Sequence, residues 1–405
     1  MGKKIETCEI CWEEQQFTPI YSEKRKKQSN AIRYLENGKL GVLLTTTRIT
    51  PKHIELAKAM ASIGADVGDD FFSARVHPHM MSKLEDSSYG IQSLRNDLQN
   101  RCGEANFILK SYKRNLGLYY DGELLHHSEL VFYEYLVQLP RKKGSAPAVI
   151  RKNSFQKVLK FDELMNVNQL QWNTEQKSSI ESKNYEAVFS STAFDVILDL
   201  LLHCCNARIC TVTDFSERHP FAGSVLSESI TIDSSPKYSN LFDDEGVQTN
   251  NKPLFDRGVF TGYFNDLYTA NKLGVEPTGN GFRGMFLHAP LQEGIPSSKY
   301  PFARMQSGKV EAEDMIASMS TGILVEELSL TYNHDFFFHP VQLPLKKAWY
   351  VENGNVIGRI DESASIVIDL RSFFKFDLTV SKKAEQVWGK EIPWIHAPQI
   401  MVLAK

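Results

Sequence analysis

Three stretches of the chain carry residues whose types and spacing could do chemistry. Asp195, Asp199 and His203 stand four apart. On a helix they would stack along one face, where two carboxylates and an imidazole could converge on a metal. The same polar stripe on an apolar helix could equally be a side turned to solvent or to an interface. Asp243-Asp244-Glu245, closed by Gly246, could bind a cation, position a peptide amine, or cap backbone N–H groups within a turn. Thr278-Gly279-Asn280-Gly281, followed by Arg283, could present N–H groups to a substrate carbonyl, or could simply connect a helix to a strand.

Other candidates are weaker. His77 and His79 flank Pro78 in a loop-like context, His126 and His127 adjoin, and His334 to His339 enclose a mostly aromatic run better explained by packing. Neither His-Glu-x-x-His, nor a Gly-x-Ser-x-Gly elbow, nor a Gly-x4-Gly-Lys-Ser/Thr phosphate loop occurs. Cys8 and Cys11 form the lone close cysteine pair among six cysteines, on a strand that would point them to opposite sides. The basic runs Lys24–Lys27 and Arg141–Lys143 lack interleaved aromatics and read as solvated turns.

The elements that must position these residues alternate between hairpins and helices. Asn37-Gly38, Asp121-Gly122 and Asn353-Gly354 are hairpin turns, since each dipeptide tolerates the left-handed backbone of a type I′ turn. Thr50-Pro51 starts a helix with Ile54, Ala57 and Ala61 on one face, stopped near Gly64. Further helices are expected over 83–100, around 155–165, over 193–205, 265–273 and 311–319, the last ending at Gly322. A buried strand is expected over 185–189, another over 323–328, and short strands from Ser365 onward. The helix at 193–205 is the most apolar, with Phe194, Ile197, Leu198, Leu201, Leu202 and Cys205 on one broad face.

These elements imply an α+β fold in two domains, each with a largely antiparallel or mixed sheet and packed helices. The expected boundaries are 1–138, a linker with a connecting helix over 139–184, and a β-rich domain over 185–405. With 405 residues, 42% hydrophobic and 23% charged, the chain has room for two cores. A net charge of −3 gives no global field for nucleic acid or an anionic membrane. No apolar run approaches the ~18 residues of a membrane span, and the polar N-terminus does not read as a signal peptide. Reduced thiols and a cytoplasmic location are the expectation.

In order along the chain, Arg33–Ile63, Phe242–Val247, Gly258 through Leu273-Gly274, Pro277–Arg283, Thr321-Gly322 and Trp349–Gly354 resemble the TldD/PmbA family, whose PmbA type is also called TldE. The resemblance covers most of 185–405 and, more faintly, residues 30–65. It implies a two-domain α+β subunit of a TldD–TldE heterodimer, a cytoplasmic zinc protease that encloses unfolded or modified peptides. In the TldD type a helix carries His-Glu-x-x-His and a downstream cysteine completes the zinc site. Here the corresponding positions, around Ala193–Cys205, are leucines and cysteines, and no cysteine follows Cys210.

The resemblance therefore implies the TldE type: no catalytic residue and no cofactor in this chain, with zinc expected in a TldD-like partner. Asp243, Asp244, Glu245, Gly246, Thr278, Asn280 and Arg283 are then expected to shape the peptide chamber or its interface. Two departures stand out: Asn333–Leu345 replaces a Gly- and Ser-containing segment, and Phe373–Leu378 stands where the family tends to a Gly-Asn-Asp turn. The alternatives are a peptide-binding scaffold without a protease partner, and a metallohydrolase built on Asp195, Asp199 and His203.

Overall fold

The structure, a computed structural model, describes residues 3–72, 81–82, 90–139, 149–155, 157–165, 176–208, 226–234, 242–249, 251–283, 296–300, 302–329 and 339–404. The N-terminal part comprises β1 (Lys4–Phe17), β2 (Ser22–Glu36), β3 (Lys39–Thr45), α1 (Pro51–Ala61), β4 (Ala65–Asp66), β5 (Met81–Ser82), α2 (Ile91–Cys102), β6 (Asn106–Tyr120), β7 (Glu123–Gln138), β8 (Val149–Phe155) and α3 (Phe161–Met165). These strands form one sheet in the order β4-β3-β2-β1-β6-β7-β5, with β8 also on β7. The Asn37-Gly38 and Asp121-Gly122 turns set its long hairpins: φ is 52° and 73° at the first and 47° and 89° at the second.

The second sheet collects β9 (Lys177–Ser178), β10 (Lys183–Phe189), β11 (Ile232–Asp233), β12 (Pro253–Asp256), β13 (Val259–Phe260), β16 (Arg304–Met305), β17 (Thr321–Leu328), β18 (Val341–Glu352), β19 (Asn355–Ile360), β20 (Ser365–Ile368), β21 (Thr379–Val387) and β22 (Lys390–Leu403). The small pair β14 (Gly281–Phe282) and β15 (Ser297–Ser298) stands apart. Helices α4 (Ser191–Cys204), α5 (Leu267–Leu273), α6 (Ala312–Ser318) and α7 (Leu370–Phe373) complete this part. The fold is α+β. Five strands close on themselves through the pairings β22–β10, β10–β17, β17–β18, β18–β20 and β20–β22. That circuit removes exposed strand edges around the largest apolar cluster, to which α4 contributes Phe194, Ile197, Leu198, Leu201 and Leu202.

Several elements differ from expectation for local reasons. The second helix starts at Ile91, behind Gly90 in extended conformation, and residues 83–89 of its expected span lie outside the described residues. Phe155 ends β8, which pairs with β7 over its whole length, so the helix expected over 155–165 shrinks to α3. The stretch read as a connection thus adds a strand to the first sheet. Gly322 does not end a helix: it lies in β17, where a Cβ would meet the Glu186 carbonyl oxygen at 2.8 Å. Of the short strands expected from Ser365 onward, β20 is one, but the chain then runs into the longer β21 and β22. Lys24–Lys27 lies within β2, not in a turn.

The two sheets meet through two apolar seams. Trp12, Tyr112, Leu130, Phe132 and Phe155 of the first pack with Phe302. Leu35, Leu40, Phe71 and Phe72 pack with Val247 and Leu267. On the opposite face of the first sheet α1 buries Ala57 and Ala61 against Ile32 and Tyr34. Helix and strand approach so closely that a Cβ on Gly41 would lie 2.0 Å from the Ala57 carbonyl oxygen. Gly41→Ala is expected to lower stability by about 1–3 kcal/mol, read as an earlier midpoint in urea unfolding.

Candidate functional site

The acid run forms a tight turn. Asp243 Oδ1 accepts from the N–H groups of Glu245 and Val247, both at 2.9 Å, and its Oδ2 accepts from Gly281 N–H at 2.8 Å. Gly246 has φ of 79°, and a Cβ on Gly281 would lie 2.1 Å from the Glu245 carboxylate. Both positions therefore demand glycine. Burial and the charge of Glu245 push the Asp243 carboxyl well above its ordinary range, against the pull of those three N–H bonds.

The turn does not face an open wall. Asp243, Asp244, Glu245 and Arg283 are all buried, and they meet buried Glu6, Arg33 and Arg114 of the N-terminal sheet. Glu6 and Arg33 face each other across β1 and β2, so they share the sheet face that looks at the C-terminal part. Arg33 grips Glu6 with two bonds of 2.6 and 2.7 Å and donates a third, of 2.5 Å, to Glu245 Oε1. Glu245 Oε2 accepts the Leu267 N–H at 2.7 Å, at the start of α5. Asp244 Oδ2 accepts from Arg114 and from the Arg283 backbone N–H, while Arg283 Nη2 reaches Glu6 Oε1 at 2.9 Å. Phe71 and Phe72 lie 5.7 and 5.3 Å from the Arg33 guanidinium. Glu6, Asp244 and Glu245 with three arginines thus join the two halves of the chain, and Asp243 braces the turn behind them.

Thr278 and Asn280 act behind this turn. The Thr278 hydroxyl accepts the Asn265 N–H at 2.7 Å and meets Asn280 Oδ1 at 2.8 Å, and Asn280 donates to the Lys299 carbonyl. They hold the 278–281 loop in place, which in turn lets Gly281 donate to Asp243.

Asp195 and Asp199 do stack on α4, whose N-cap Ser190 accepts the Ala193 N–H at 3.2 Å. Between the two carboxylates sits the ammonium of Lys390, 2.5 Å from Asp195 Oδ1 and bonded to Asp199 as well. Burial pushes the Asp195 carboxyl up to about 7, with Lys390 opposing and Asp199 adding to the rise. Burial alone would lower Lys390, but the two aspartates hold it above its ordinary value. His203 is exposed at the far end of the helix.

Residues 182–404, more than half of the chain, match a family model described as the PmbA/TldA metallopeptidase C-terminal domain. The chain belongs to the TldD/PmbA family. An 85-residue segment is 36% identical to a metalloprotease TldD homolog of Haemophilus influenzae, covering 21% of this chain and 16% of that relative. A 117-residue segment is 27% identical to a metalloprotease PmbA homolog of Buchnera aphidicola subsp. Baizongia pistaciae, covering 27% of this chain and 22% of that relative. In these matches the chain spans less than a quarter of the curated relatives' own length. The crystal structure of TldE from Thermococcus kodakarensis superposes with a TM-score of 0.74 at 18% identity, over 99% of this chain and 97% of that one. At that identity the likeness establishes the shared fold.

The TldD/PmbA family implies zinc, and the donors on the described residues do not fit it. Among the described residues no group of three or more His, Cys, Asp or Glu side chains could hold a metal ion. On α4 the buried positions are mostly Phe194, Ile197 and leucines, and burial raises the Cys204 and Cys205 thiols above their ordinary value. The ammonium of Lys390 fills the space between the carboxylates. His77, His79 and His334 lie outside the described residues, and the buried His126 packs its ring 5.0 Å from Phe242.

Sequence reasoning missed Glu6, Arg33, Arg114 and Lys390. For Arg33 a signal was present: a lone arginine in the apolar strand Ala31-Ile32-Arg33-Tyr34-Leu35. Lys390 gave none, because its partners are 191 and 195 positions away.

Two outcomes follow from the geometry. Arg33→Met, which leaves Glu245 and Glu6 buried with less compensation, is expected to cost about 3–5 kcal/mol in denaturant unfolding. A raised folded-state pKa at Asp195 means that the native state binds the extra proton between about 3.8 and about 7. Wild type should therefore lose stability relative to Asp195→Asn as pH rises through that window, measured as a widening gap in melting temperature.

Proposed function

We infer that this chain is the non-catalytic, TldE-like subunit of a heterodimeric zinc metallopeptidase acting on unfolded or modified peptides in the cytoplasm. The observation that carries the reading is the state of α4. Zinc hydrolysis needs ligands, a general base and an open coordination position. This family member instead presents leucines, buried thiols and a pair of aspartates bridged by Lys390 on that helix. Membership of a metallopeptidase family, together with the fold shared with an archaeal protein that is itself a TldE, supports the same reading. The partner is then a TldD-like chain carrying His-Glu-x-x-His, and the zinc is the partner's.

Within that assembly, Asp243, Asp244, Glu245, Gly246 and Arg283 shape the subunit by clamping the C-terminal loops onto the N-terminal sheet. Thr278 and Asn280 support the clamp. The metallohydrolase alternative on Asp195, Asp199 and His203 is disfavoured by the Lys390 ammonium between the two carboxylates. A peptide-binding scaffold without a protease partner has no specific observation in its favour.

The test is purification of this chain alone and together with a His-Glu-x-x-His family member from the same genome neighbourhood. The lone chain is expected to hold no stoichiometric zinc and to leave an unfolded peptide intact, whereas the pair binds zinc and cleaves. Stoichiometric zinc and full activity in the lone chain would overturn the proposal.

A further inference from the structure

Among the described residues the β1–β2 hairpin leaves a long, charged strand edge open. Pairing with β1 runs along β2 from Ser22 to Leu35. Pairing with β3 on the other side begins only at Asn30, opposite Thr45. Among the described residues nothing pairs with the outer edge of Ser22–Ser29. Residues 22–28 are all exposed. An open edge presents backbone donors and acceptors ready for another strand. At the hairpin tip beside it, Ile20 and Tyr21 are 91% and 51% exposed.

The charges decide which strand. Lys24, Arg25, Lys26 and Lys27 stand on this edge against the single acid Glu23. Lys24 pairs with Glu13 at 2.7 Å, and Arg25 with Glu23 at 2.8 Å. Lys26 and Lys27 make no ion pair among the described residues. A second copy of this edge would set lysines against lysines, which opposes self-association. The four cations also alternate: Lys24 and Lys26 project from one face of the sheet, Arg25 and Lys27 from the other. Nucleic acid follows a groove with its phosphates on one surface, so it could engage only half of them at once. An added strand alternates its side chains in the same way as β2. Consecutive acids on such a strand would face a cation on both sides of the sheet.

The geometry points to the Ser22–Ser29 edge as a docking site for an extended, acidic segment of a partner protein, bound by strand addition. The segment would carry apolar side chains where it reaches Ile20 and Tyr21. Main-chain hydrogen bonds supply the affinity and the alternating cations supply the selection. This surface belongs to the N-terminal sheet, and its occupation does not depend on α4 or on zinc.

Fluorescence anisotropy of the full chain with a labelled peptide of about eight residues tests it, a length that matches the free edge at ~3.3 Å per residue. The peptide carries consecutive Glu and Asp residues followed by Val and Ile. Binding is expected, weakening with salt and lost by about tenfold or more in the double variant Lys26→Glu, Lys27→Glu. The same peptide N-methylated at alternate residues, in each of the two registers, keeps its charge and removes outward N–H donors. At least one of the two is expected to lose binding to the same extent. The account is overturned if the acidic peptide does not bind. It is equally overturned if both N-methylated peptides bind as well as the parent, or if single-stranded DNA of matched charge binds as tightly and displaces the peptide. Far-UV circular dichroism of the double variant, whose two sites are exposed, confirms that a loss of binding is not a loss of fold.

Discussion

The interaction on which the rest of this protein depends is the buried chain of charge from Glu6 through Arg33 to Glu245 and on to the first N–H of α5. It runs from the first sheet to the loops and helix of the C-terminal part, and each link is desolvated. In such surroundings an ion pair contributes to stability only when nearly every hydrogen-bonding position is met. Here Arg33 serves two carboxylates, Glu245 serves a guanidinium and a helix start, and Asp243 takes three backbone N–H groups. A misregistered docking of the two sheets would strand several buried charges at once. The apolar seams supply attraction without direction, and the charges fix which residue meets which.

That constraint also explains the character of the acid-rich loop. Three acids in a row are costly to bury, and glycine at 246 and 281 is what lets the backbone fold closely enough around them. The loop's chemistry is spent on holding the chain together. On α4 the ammonium of Lys390 is set between two carboxylates. In both places residues whose types suggest binding or catalysis in the sequence are engaged in buried ion pairs in the structure.

How much of this was legible follows from the range of each signal. The Asn37-Gly38, Asp121-Gly122 and Asn353-Gly354 turns, the Thr50-Pro51 helix start and the apolar face of α4 depend on neighbours within a few positions, and all appear where the sequence puts them. The closed circuit through β20 and β22 does not, because it is set by pairings across the whole C-terminal part. The site was half visible. Asp243 to Glu245 and Arg283 were picked out by composition, but the partners that Asp244, Glu245 and Arg283 find on the N-terminal sheet lie 130 to 277 positions away and no local pattern links them. The basic run was misplaced in a turn because charge outweighed its strand context. Its alternation becomes meaningful only once β3 is seen to stop short of it.

The most direct test is a double-mutant cycle across the interface, with Arg33→Met, Glu245→Gln and the double variant unfolded in denaturant under identical conditions. If the buried chain of charge joins the two halves of the chain, the two residues are coupled by about 1–3 kcal/mol, and the double variant is more stable than the sum of the single losses allows. Strict additivity of the two substitutions would contradict the account.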